Sequence, residues 1–151
     1  MIIPVLPHTP LSTKLNNSHN LRYYIVIGAN QPRSIEKIIL NIIYLLPRPE
    51  EPYLLIYVNT LAHKDAYNDF MKVTEFLPIE YFKHLCNIVV LQASFLNKAR
   101  GWISFDTVTS FVKNKTEYCS EFKELAESVM LNSEELLNLL PESIKKELGK
   151  E

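Results

Sequence analysis

Residues 54–91, LLIYVNTLAHKDAYNDFMKVTEFLPIEYFKHLCNIVVL, hold two continuous apolar runs separated by an amphipathic stretch. Neither the first run, LLIYV at 54–58, nor the last, IVVL at 88–91, alternates with polar residues. A strand with one wet face alternates; a run that is apolar throughout reads as a strand buried on both faces. Between them the spacing predicts a helix from about 64 to 76, with Ala66, Phe70 and Val73 plus Leu77 on its inner side. Pro78 ends that helix and opens a shorter one that turns Ile79, Phe82 and Leu85 inward. Strand, helix and buried strand in this order form a βαβ unit, with parallel strands and a right-handed crossover.

The same reading extends outward. Residues 23–27, YYIVI, form a third continuous apolar run, closed by the turn Gly28-Ala29-Asn30. Ser34 then has the place of a helix N-cap, with Glu36 in the first turn where the macrodipole favours an anion. Ile35, Ile38, Ile39, Ile42, Ile43 and Leu46 recur at helical spacing and make one apolar face. The proline-rich 47–52 stops that helix. Residues 116–119 are a weaker strand candidate. A helix over 121–130 follows, with Phe122, Leu125, Ala126 and Val129 inward. Ser133 is the expected cap of a last amphipathic stretch carrying Leu136, Leu137, Leu139 and Leu140. Residues 1–20 lack periodicity and read as an irregular lead-in, 21–147 as one α/β domain, and 148–151 as a tail.

The chain has 151 residues, enough for one domain with a substantial core. Hydrophobic residues make up 47%, and no apolar run approaches the roughly 18 residues of a transmembrane helix. The proline-bearing start, MIIPVLPHTP, has no basic region of the kind that opens a signal peptide. A formal net charge of −1 argues against nucleic acid as the main partner. Cys86 and Cys119 read as two buried, reduced thiols, and the expected location is cytoplasmic, peripheral to membranes at most.

Reactive constellations are missing from the pattern. His8, His19, His63 and His84 are scattered, with none at metal-ligand spacing from a second His or a Cys. There is neither a nucleophile elbow nor a Walker loop. Gly28 opens G-A-N-Q-P-R, which lacks the further glycines that let a pyrophosphate approach, so it reads as a plain turn. Asp65 and Asp69 share a helix face as solvated charge, and Arg33 meets water. The expectation is a protein that is not an enzyme and that uses no cofactor or metal.

The segment 95–115, FLNKARGWISFDTVTSFVKNK, is too apolar for a surface connection. Phe95, Leu96, Ala99, Trp102 and Ile103 fall on one helical face, and Phe105, Val108, Phe111 and Val112 on a second. Gly101 lowers helix propensity between them by about 1 kcal/mol relative to Ala, which suits a segment that moves. Lys98, Arg100, Lys113 and Lys115 form a basic cluster on a chain that is near neutral overall. An apolar face flanked by basic side chains is what a membrane-contacting gate requires; the alternative is that the two faces simply finish the core, as in any soluble helix.

At this point the order of parts resembles a known family. PYLLIYVNTLAHKDAYNDFMKVTEFLPIEYFKHLCNIVVLQASFLNKARGWISFDTVTSFVKNKTEYC is similar to the core of a CRAL-TRIO domain, most of all to the divergent subgroup found ahead of Rho GTPase-activating domains. The landmarks are the strand ending at Asn59, the helix leading into Tyr81-Phe82-Lys83, and Ala93-Ser94-Phe95 after residues 88–91. They continue with Trp102 in the gate, Lys115 before the next strand, Glu121-Phe122-Lys123-Glu124-Leu125, and the late Leu139-Leu140-Pro141. The likeness spans roughly residues 21–147.

The resemblance implies an α/β fold with a mainly parallel sheet, flanking helices and a two-helix gate, here without an N-terminal helical subdomain. It implies a lipophilic ligand between sheet and gate. Phe95, Leu96, Trp102, Ile103, Phe105, Val108 and Phe111 then line or hinge the pocket, and Lys98, Arg100, Lys113 and Lys115 face a lipid headgroup or membrane. Lys83 stands where members that hold phosphatidylinositol carry an acidic residue, while Lys115 fits their lysine. The expected function is non-catalytic binding of a lipid or other small lipophile with transient membrane contact. The alternative is a lipid-free interaction module that binds small GTPases or their regulators.

Overall fold

A computed structural model describes residues 2–5, 22–45, 52–92 and 111–149. Its centre is one five-stranded sheet in the order β1 (Ile2–Val5), β2 (Arg22–Ile27), β3 (Tyr53–Val58), β4 (Leu85–Leu91) and β5 (Thr116–Cys119). Strands β2 to β5 are parallel to their neighbours; β1 is antiparallel to β2 and forms an edge. The helices are α1 (Ile35–Leu45), α2 (Ala66–Val73), α3 (Phe122–Val129), α4 (Ser133–Asn138) and α5 (Glu142–Leu148). The chain is thus an α/β protein built on a four-strand parallel sheet flanked by helices, as the three continuous apolar runs require.

Side-chain parity divides the strands between two cores. Tyr23, Ile25 and Ile27 of β2, Leu54, Ile56 and Val58 of β3, Val89 and Leu91 of β4, and Cys119 of β5 share one face with the buried sides of α3, α4 and α5. Val26, Tyr53, Leu55, Tyr57, Ile88 and Val90 point the other way, onto α1, α2 and Val112. Because β2 to β5 follow one another in space, right-handed crossovers carry their connections to the same side. The C-terminal helices then close the opposite side. Every residue of β3 is buried, which is why its sequence never alternates.

One irregularity keeps β4 in phase. Tyr53 pairs with Leu85 but Leu54 pairs with Asn87, so Cys86 is an inserted bulge residue. The bulge puts both Leu85 and Ile88 in the α1/α2 core although three positions separate them. It also turns Cys86 outward, correcting the expectation of two buried thiols; only Cys119 is buried.

Several local expectations shift. Residues 2–5 form a strand although they lie in a stretch that reads as irregular lead-in. Its four residues include Pro4, which a sheet admits at an edge. Ile43 is 40% exposed and Ile79 39%, so neither joins the inner faces assigned to them. In α1 the inner stripe is the narrower set Ile38 and Ile42, with Ile35 and Ile39 partly buried. Leu139 is likewise 40% exposed, whereas Leu136 and Leu140 are buried. The cap of α4 is Asn132, whose Oδ1 accepts from the amides of Glu134 and Glu135 at 3.0 and 3.1 Å, not Ser133. Phe122, Leu125, Ala126 and Val129 are buried on α3, as their spacing requires.

Ile56 sits at the middle of β3 with no exposed surface and packs into the C-terminal-helix core. Ile56→Ala is expected to lower unfolding free energy by about 3 kcal/mol, the usual order for an Ile-to-Ala cavity. Chemical denaturation checks this; a loss below about 1 kcal/mol means the two layers collapse onto the cavity.

Candidate functional site

Parallel strands deliver their carboxyl ends to one edge, and loops at that edge carry function in open α/β sheets. Here β2, β3 and β4 end at Ile27, Val58 and Leu91, and polar chain follows each. The strand order never reverses, so the crevice that forms at a switch point is not built by β2 to β5. What the edge has instead is a hydrogen-bonded cluster of neutral side chains. The Tyr57 hydroxyl donates to Gln31 Oε1 at 2.9 Å, and Gln31 Nε2 donates to the Ala66 carbonyl at 2.6 Å. Asn59 Nδ2 donates to the Gln92 carbonyl at 3.1 Å, and the Thr60 hydroxyl to Gln92 Oε1 at 2.8 Å. Gln31 and Thr60 are the buried polar side chains of the described residues, 8% and 3% exposed.

Backbone strain gathers at the same place. Leu61 has φ 60° and Gln92 φ 61°, the left-handed region that non-glycine residues avoid. The two bonds from Asn59 and Thr60 hold Gln92 there, and the Gln92 amide donates to the Cys119 carbonyl at 2.8 Å. Gly28 lets the turn close. A Cβ at that position would meet Ala62 Cβ and the Val58 carbonyl oxygen at 3.0 Å and the Tyr57 ring at 3.1 Å. The glycine that reads as a plain turn is therefore a close-packing residue between the end of β2 and the loop after β3.

The α1/α2 core below this edge is rich in tyrosine. The Tyr57 ring lies 5.2 Å from Tyr67 and 5.0 Å from Phe70, and Tyr67 meets Tyr118 edge-on at 6.3 Å. Burial, with the Asp69 charge adding to it, holds the Tyr57 hydroxyl protonated well above the usual tyrosine range. Burial, then Tyr118, does the same to Tyr67, whose hydroxyl lies beside Tyr118 and Thr116 without hydrogen-bond geometry to either. Tyr53 is raised chiefly by burial and donates to the Tyr81 carbonyl. Tyr23, on the other face, is pushed up to about 12 by burial first and by Cys86 second. Burial, with Glu117 and Glu124, pushes the Cys119 thiol up as well, away from thiolate reactivity.

The crossover from β4 to β5 leaves the sheet just past Gln92 and returns at the opposite edge. Of its expected lining residues, Phe111 is described: it packs partly buried against the tyrosine-lined core, beside the fully buried Val112. Lys115 Nζ donates to the Leu85 carbonyl at 2.6 Å and lies 4.5 Å from the centre of the Phe111 ring. Lys113 is partly exposed nearby in sequence. Phe95, Leu96, Lys98, Arg100, Trp102, Ile103, Phe105 and Val108 lie outside the described residues.

Reading the sequence misses the carboxyl-edge cluster. Its one available signal is a polar residue directly after each apolar run, Asn59 after 54–58 and Gln92 after 88–91. Among the described residues no group of acidic, His and Cys side chains can hold a metal, and no helix is long and apolar enough to cross a membrane. No family model, curated protein or solved structure matches the chain.

Gly28→Ala is expected to cost roughly 1–2 kcal/mol, the order for a methyl forced into packed surroundings, read as a lower denaturation midpoint. The tyrosines predict an alkaline limit. Above about pH 10 the unfolded chain releases phenolic protons that the folded chain retains, so stability falls as pH rises toward about 12. Phenolate absorbance against pH should show Tyr23, Tyr53, Tyr57 and Tyr67 ionising only as far-ultraviolet ellipticity is lost; normal titration of all tyrosines in the folded protein overturns the assignment.

Proposed function

We propose that this chain is a non-catalytic binding module that takes a lipid or other small lipophile beneath the β4–β5 crossover and touches membranes transiently. The observation that carries the reading is the crossover itself. A segment with the chain's only Trp departs from a strained polar edge and returns through Phe111 and Val112 onto an aromatic sheet face. A connection that merely finishes a core has no need of so much aromatic area. The resemblance to the CRAL-TRIO layout supports the same reading.

The physics asks for no reactive group. Each methylene removed from water contributes about 0.8 kcal/mol, so one acyl chain supplies on the order of 10 kcal/mol before ordering costs. The chain's part is to hold the two ends of the crossover, at Gln92 and at Lys115. Lys115, clasped to the Leu85 carbonyl and stacked near Phe111, fastens the return. The Lys98, Arg100 and Lys113 side chains then favour an anionic membrane surface, each contributing about 1 kcal/mol near it.

A second reading, a module that binds a small GTPase or a regulator of one, is favoured by the outer side of α1. Leu40 is 63% exposed and Ile43 40%, one helical turn apart.

Native mass spectrometry of the purified chain is expected to retain a copurifying lipid, and Trp102 emission to shift to the blue on adding vesicles that contain anionic lipid. Trp102→Ala should reduce lipid uptake while moving the thermal midpoint by little. An unchanged spectrum with no bound lipid favours the interaction reading, and equal loss of uptake and stability makes Trp102 a core residue.

A further inference from the structure

We draw no further inference here: the strongest candidate, the open groove of about 360 Å³ between the end of α3 and the start of α4, is lined by Ala126, Met130 and Leu131 together with the opposite charges of Lys123 and Glu127, which select no partner by charge, and nothing in the structure shows what covers it.

Discussion

The structure depends on the burial of β3 from every direction. Its backbone is hydrogen-bonded to β2 on one side and β4 on the other, and its six side chains are buried on two faces. A strand so placed has no wet surface on which to tolerate a polar residue, and its backbone groups have nowhere to bond but the neighbouring strands. From that follow the parallel pairing, the crossovers on one side and the need for a second layer on the other. The C-terminal helices α3 to α5 supply that layer with Leu125, Val129, Leu136, Leu140, Ile144 and Leu148.

The carboxyl edge is where this regularity stops. Strands that end in a dry core must pass to loops whose polar groups still need partners. Here the solution is two sets of neutral groups: Tyr57 with Gln31 and the Ala66 carbonyl, and Asn59 and Thr60 with Gln92, the second holding Gln92 in a costly backbone conformation. Beneath this edge, burial keeps the protons of the core tyrosines and of Cys119 in place at ordinary pH.

The departures from the expected pattern have one common origin. Ile43 and Leu139 sit at correct helical spacing but at the border of their stripes, and where the border falls depends on how closely the sheet approaches. Cys86 reads as buried because free cysteines usually are; a one-residue bulge turns it outward. Asn132 and Ser133 are both good caps, and the backbone chooses the first. Residues 2–5 are too short and too proline-rich to announce a strand, and they become one by pairing with β2, about twenty positions away.

Sequence alone determined the parallel α/β character, because continuous apolar runs have no stable home except strands covered on both faces. It also determined the inner faces of α2 and α3, where period and burial agree. Only the tertiary structure decided which layer covers which face, the bulge at Cys86, the edge strand, and the pairing of Gln31 with Tyr57 and of Asn59 and Thr60 with Gln92. Those features arise from contacts across about 20 residues or more, and a one-dimensional pattern records the period of a segment but not the partner it will find.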